Sequence, residues 1–403
     1  MQSDTSGTKD QPLLEPPNFS LVLGGPLFQL MRRAHLSDDA LELLRNRIVV
    51  ISLLTWLPLL LLSAMEGHLS GGGLAVPFLR DLEAHIRFLV AIPLLIAAEY
   101  VVHQRMLPVA RQFLDRDLIP ENARPQFDEA VASAARLRNS PLAEVLLIVF
   151  VYGFGILFLW RHFIALNAST WYATPSGHGS TLSLAGIWYG YLSVPFFQFL
   201  LVRWYFRVFI WARFLWQVSR IKLNLVPTHP DHLGGLGFLP NILYAFAPLA
   251  LAHGAIVSAQ LANRILYLGA KLPEFKAEIA VLLVFLLCLV TVPLLVFVPQ
   301  LAQAKRTGLR EYGALAQRYV REFDAKWLRG GAPADEPFMG TGDIQSLADL
   351  GNSLEVVRTM RIIPMTKELI IQTSVAALLP ILPLALTMMS LEDLLKKLLG
   401  IFL

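Results

Sequence analysis

I-A-V-L-L-V-F-L-L-C-L-V-T-V-P-L-L-V-F-V-P, residues 279–299, runs for twenty-one positions without a charged side chain. A hydrocarbon core about 30 Å thick is crossed by roughly 20 helical residues, and inside it only a helix or a closed barrel satisfies its own backbone. The run is about twice the length of a barrel strand, so it reads as a transmembrane helix. Working outward, seven segments of this kind are counted: 47–65, 86–104, 142–165, 184–216, 239–263, 278–299 and 364–389. The expected fold class is all-α, a polytopic membrane helix bundle of about seven transmembrane helices. The fourth segment is longer than a bilayer needs, which implies a steep tilt or an end projecting beyond the membrane.

Composition agrees. Hydrophobic residues make up 55% of the 403 and charged residues 16%, against roughly 25% charged in a soluble domain. The principal partner is therefore the lipid bilayer. The formal net charge of +4 reads as cytoplasmic loops beside anionic lipid, and no nucleic-acid partner is implied. One cysteine, Cys288, excludes an intrachain disulfide framework and a paired CxxC metal knuckle. The start of the chain lacks the basic and apolar regions of a cleavable signal peptide. The first ~18 residues are polar and proline-containing and are expected to be disordered, ahead of a single integral membrane domain over 19–403.

Loop charge sets the expected orientation. Arg105, Arg111, Arg116, Arg124, Arg136 and Arg138 follow the second segment; Lys305, Arg306, Arg310, Arg318, Arg321, Lys326 and Arg329 follow the sixth. Both stretches should be cytoplasmic, whereas 165–181 carries no Lys or Arg and should lie on the other face. The N-terminus is then cytoplasmic, in a bacterial-type inner (plasma) membrane, and a six-helix alternative would return the last segment to the same face. Cytoplasmic helical segments are expected over 105–140 and 301–361. From 301 to 328, Leu309, Tyr312, Ala316, Tyr319, Val320, Phe323 and Trp327 recur at helical spacing, an amphipathic continuation of the sixth span. Asp343 is expected to cap a further helix to about 361, and Ser37 to cap the first.

The halves invite comparison as a 3+1+3 parallel repeat. T-W-L-P-L-L-L-L in the first segment pairs with A-F-A-P-L-A-L-A in the fifth, and A-I-P-L-L-I with T-V-P-L-L-V in the second and sixth. S-P-L-A-E-V-L-L-I and I-P-M-T-K-E-L-I-I open the third and seventh. With Pro58, Pro93, Pro248 and Pro293 inside helices, this layout is similar to that of the SWEET sugar carriers, in arrangement and without their sequence signature.

A polar loop, 218–238, interrupts this apolar chain with P-T-H-P-D-H-L-G-G-L at 227–236. T-H-P-D-H-L-G-G resembles a shortened metallo-β-lactamase-type motif, which would make His229, Asp231 and His232 ligands of a divalent metal. Pro227 stands where that motif has its first histidine, and no strand-rich sandwich surrounds it. No resident cofactor is otherwise implied. A metal site of another kind would need His229 and His232 to converge on a helical turn, with a further ligand. The plainer reading has Asp231 bonding free backbone N–H groups while Gly234 and Gly235 adopt positive φ. A third makes the loop a gate or ligand contact.

Ionisable residues inside spans are costly unless they face protein or water. Glu99 lies near the inner end of the second segment, and Arg203 and Arg207 share a face of the fourth. They are expected either to pair with Glu99 or, preferentially, to snorkel to the interface. His253 and Gln260 mark the fifth segment as solute contacts, proton relays or interhelical hydrogen bonds. No Walker motif, kinase signature or nucleophile elbow is present. The leading expectation is a transporter or channel for a small polar solute or ion. The alternatives are a membrane-embedded enzyme acting on a lipid-type substrate through His229, Asp231 and His232, and a sensor or assembly protein. A homo-oligomer is compatible with all three.

Overall fold

The computed structural model describes residues 20–22, 24, 26, 29, 44–71, 73–160, 169–176, 179–337 and 339–388. The expected disordered tail and the Ser37 cap lie outside them. Five helices among the described residues are long and apolar enough to cross a bilayer: α1 (Leu44–Met65), α2 (Leu82–Asp115), α5 (Leu184–Val218), α6 (Leu239–Leu268) and α7 (Leu272–Leu328). A sixth crossing arises if α3 (Arg124–Arg138) and α4 (Pro141–Phe150), bent by 49° at their junction, form one broken span. The helix of α4 winds on through Val151–Trp160, and residues 161–168 of the expected third span lie outside the described part. A short antiparallel hairpin, β1 (Ala173–Ser176) and β2 (Gly179–Leu182), precedes α5. Two helices complete the chain, α8 (Gly342–Thr359) and α9 (Lys367–Leu378).

Local chemistry explains several of the starts and one stop. Asp81 accepts from the N–H groups of Glu83 and Ala84 at the head of α2; Ser140, Ser183 and Thr366 do the same for α4, α5 and α9. Gly269 closes α6 in the left-handed conformation, φ +67°. Proline lacks an N–H and crowds the preceding turn, so the ladder changes register beside it. Wide turns precede Pro93 (Arg87–Ala91) and Pro195 (Tyr189–Ser193), and tight turns accompany Pro248 (Leu243–Phe246) and Pro293 (Val292–Phe297). The amphipathic stretch after 300 is one helix with the sixth span, as its spacing predicts. Asp343, by contrast, sits in the first turn of α8 behind Thr341 and does not cap it; its carboxylate takes Lys326 and the Trp327 indole, both at 2.9 Å.

The chain threads between two ends. At the hairpin end, Glu66 accepts from the N–H of Leu184 at 2.7 Å, and Asp81 accepts from Trp171 and Asn263 at 2.8 and 3.0 Å. At the loop end, Leu118 C=O accepts from Asn224 N–H at 2.9 Å, and Gln300 donates to Ile221 C=O at 2.7 Å. Each of α2, α5, α6 and α7 runs from one end to the other. α9 starts beside the loop, where Arg361 N–H donates to His232 C=O at 2.8 Å. It then packs along α6, where Ser258 donates to Pro380 C=O at 2.6 Å. The helix stops after Leu378 and a tight turn, Leu382–Thr387, follows.

The core gathers around α2, α5 and α6, with Phe113, Phe127, Trp204, Trp211, Phe214 and Phe297 fully buried. The outside is equally apolar. Leu53, Leu54 and Leu61 of α1, Val145, Leu146 and Val149 of α4, and Val281 and Val284 of α7 are all exposed. An exterior of this kind is solvated by lipid.

Candidate functional site

The 227–236 stretch folds as a knot around one carboxylate. Asp231 Oδ1 accepts from the N–H groups of Leu233 at 2.8 Å and Gly235 at 3.2 Å, while Oδ2 accepts from Gly237 at 2.7 Å. Three donors can converge only because the chain reverses sharply: His232, Gly234 and Gly235 have φ of +54°, +64° and +102°. Both glycines are needed for space as well. A Cβ on Gly234 would press on Leu225 and Met360, and one on Gly235 on Leu118. Burial pushes the Asp231 carboxyl up, but the N–H bonds from Leu233, Gly237 and Gly235, with His229 beside them, outweigh it and hold it below the ordinary carboxylate range. Arg116 adds a hydrogen bond to Gly235 C=O at 3.2 Å and lies over the Phe238 ring.

The two histidines do different things. His229 Nδ1 lies 3.0 Å from Asp231 Oδ1. His232 Nδ1 meets Thr359 Oγ1 at 3.0 Å, at the end of α8. The helical turn that would bring them together is absent, because His232 takes a left-handed backbone. Among the described residues no group of three or more His, Cys, Asp or Glu side chains converges as a metal site. The loop is a brace: Pro227 packs on Gly308 of α7, and His232 and Asp231 bind the backbone and side chain of Arg361.

A second cluster lies within the bundle at the loop end. Glu99 is 3% exposed and sits some 17 residues past Leu82, about 26 Å along α2 at 1.5 Å per residue. It pairs with Arg47 of α1 and, on α5, with Arg207 at 2.7 Å and Arg203 at 3.9 Å. Arg203 also faces Glu144 of α4 at 3.5 Å. The arginines do not snorkel. Arg203 and Arg207 are 7% and 4% exposed, held inward by a carboxylate that in lipid they would otherwise leave uncompensated. Arg207 further stacks over Trp204, whose indole donates to Leu95 C=O at 2.9 Å. Charge from α1, α2, α4 and α5 thus converges in one buried network.

Arg47 and Glu144 escaped the sequence reading. The signal was there: each is an ionisable residue at the margin of an apolar run, as Glu99 is. Also unforeseen was the pair Ser20 and His103, 2.9 Å apart beside this network. His253 is buried in α6; its Nδ1 meets Leu249 C=O and its Nε2 meets Tyr205 of α5, both at 2.7 Å. Both ring nitrogens are therefore committed, which favours the interhelical hydrogen bond over a solute contact. Gln260 is exposed on the same helix, about two turns beyond His253 and on the same face. Comparison with protein families, with curated proteins and with solved structures finds no match to this chain.

Proposed function

We propose that the protein is a multi-pass transporter or channel for a small polar solute or ion, in a bacterial-type inner membrane with a cytoplasmic N-terminus. The observation that carries this reading is the Glu99 network. Ionisable groups held inside a lipid-embedded bundle mark a conduction or binding path more often than a structural prop. A carboxylate bridging arginines of α1 and α5 is a natural gate: a solute that competes for either partner releases one helix from another. Seven crossings are supported by the course of α9, which rises from the loop end along α6 despite its broken helix. Basic residues over 105–138 and 301–329 support a cytoplasmic loop end. The 3+1+3 repeat gains no such support, since α1 packs on α2 and α5, whereas its counterpart α6 packs mainly on α2 and then α9, and only slightly on α7, the counterpart of α2.

The enzyme reading is weaker, because the Asp231 carboxylate is occupied by backbone donors and the flanking histidines by structural contacts. A partner-binding role is favoured by one feature, the projecting α7–α8 hairpin, which exposes Leu315, Val320, Leu328, Met339 and Ile344. The deciding experiment is flux of small ions and neutral solutes into liposomes holding the full-length protein. Transport by the wild type that changes in Glu99→Gln, with the variant still monodisperse, supports the proposal. Liposomes no leakier than protein-free ones to every solute tried would retire it.

A further inference from the structure

Past Leu301, α7 leaves the apolar bundle and runs some 27 residues further to Leu328, about 40 Å at 1.5 Å per residue. It does so as one helix with its span, so this half is carried away from the bilayer and not laid along its surface. α8 folds back against it: Val357 lies against Gly308 at the base, and Tyr319 donates to Asp343 C=O at 3.1 Å near the tip. α8 packs substantially on no other described helix.

Each helix buries one side in the other and leaves the rest open. On α7, Leu309, Ala316 and Val320 form a stripe about 70° round the axis from the half-buried line of Tyr312 and Tyr319 that faces α8. On α8, Ile344, Ala348 and Gly351 form one about 110° round from the half-buried line of Leu350 and Leu354 that faces α7. Because the two helices are antiparallel, both stripes fall on the same side of the hairpin. Leu309, Val320 and Ile344 are 37%, 49% and 42% exposed, and a Cβ on Gly351 would meet nothing within 4 Å. No Lys, Arg, Asp or Glu falls on this side between Leu309 and Val320 or between Ile344 and Gly351. An uncharged, partly apolar side on a two-helix arm standing in water marks an interaction surface. Charge then names the occupant. Beyond Leu301, α7 carries six basic and three acidic side chains, whereas α8 carries three acidic and one basic. A second copy, related by a two-fold axis along the hairpin, sets each α7 over the other copy's α8. Every net-positive helix then lies between two net-negative ones, antiparallel to both, in a four-helix bundle. Arg310, which has no ion pair among the described residues, comes level with Glu355 of the second copy.

We propose that the uncharged side of the α7–α8 hairpin, Leu309, Ala316 and Val320 with Ile344, Ala348 and Gly351, pairs two copies of this chain through a four-helix bundle. The pairing stands whether or not the protein conducts a solute. The test measures the mass of the full-length protein in detergent by light scattering, and the dissociation constant by dilution of fluorescently labelled copies. Wild type should be a dimer. Val320→Glu puts a charge on the pairing side, at a position too open to disturb the hairpin itself, and should yield a monomer. Arg310→Glu should weaken the dimer by about ten-fold, since two equivalent contacts turn from attraction to repulsion. Adding Glu355→Arg should restore it, a recovery that an unfolded hairpin could not imitate. A monomeric wild type overturns the proposal and leaves the surface to the bilayer or to a different protein. So does a dimer that either single substitution leaves unchanged, or one that Glu355→Arg does not recover.

Discussion

Asp231 binds three backbone N–H groups in a loop where three residues have positive φ, so its charge does structural work that an amide cannot copy. In Asp231→Asn one oxygen survives as an acceptor, and the group facing Gly237 or the pair Leu233 and Gly235 meets a second donor instead. The loss should be about 2 kcal/mol, in the range for a multiply bonded cap. Because the folded carboxyl titrates below its unfolded value, its contribution is fully present above the ordinary carboxylate pKa of about 3.9 and fades as pH falls through the folded one. Unfolding temperatures of the two proteins in detergent should therefore differ at neutral pH and converge below about pH 4. A gap that persists unchanged into acid would show that the carboxylate's charge is irrelevant. This loop was legible in advance in its glycines and its aspartate, because turn chemistry is local. What was hidden were its tertiary partners: Thr359 and Arg361 lie more than a hundred residues away, and His232 has a backbone that its side chain does not advertise. Arg203 and Arg207 failed in the same way, since the choice between snorkelling and pairing depends on where α2 places Glu99.

Among the elements, apolar runs and caps were readable and helix interruptions only partly so. The prolines singled out in the sequence, Pro93, Pro248 and Pro293, lie where the ladder changes register in α2, α6 and α7, whereas Pro58 sits inside unbroken α1 and Pro195 of α5 was not singled out. The segment expected as one seventh span breaks after Leu378, where Pro380 and Pro383 follow in close succession. Glycine carries a sharper message in α7. Gly308 and Gly313 are both helical, but a Cβ at 308 would lie 2.6 Å from Pro227 Cβ and 3.0 Å from Val357, whereas at 313 it would meet nothing within 4 Å. Gly308→Ala should wedge the loop and α8 away from α7 and destabilise by about 1–3 kcal/mol. Gly313→Ala should stabilise by up to about 1 kcal/mol, through helix propensity and a less free unfolded chain. Thermal unfolding in detergent, with proteolysis between α7 and α8 as a local readout, compares them. The same sign for both substitutions would mean that the 308 contact is not tight.

At the scale of the whole molecule, the distribution of polarity is inverted relative to a soluble protein: leucine and valine coat α1, α4 and α7, and Glu99 with its arginines is inside. That inversion fixes the solvent as lipid without fixing which end faces the cytoplasm. The proposed orientation rests on charge asymmetry. The loop end carries the arginines of 105–138 and the basic 301–329 stretch, together with the α7–α8 hairpin, while the segment leading into β1 and β2 lacks Lys and Arg altogether. If basic loops stay on the cytoplasmic side, a cysteine at exposed Thr181 on β2 and one at exposed Ala334 between α7 and α8 should lie on opposite faces. The background is Cys288→Ser, which removes the single native thiol, exposed on α7. In intact spheroplasts a membrane-impermeant maleimide should label Thr181→Cys at once and Ala334→Cys only after permeabilisation. The reverse pattern would place the Asp231 loop and the Glu99 network nearer the outer face, and so change the side from which a solute would meet them. Labelling of both in intact cells would mean that an odd number of crossings does not separate β2 from the α7–α8 hairpin, against the threading of α5, α6 and α7 between the two ends.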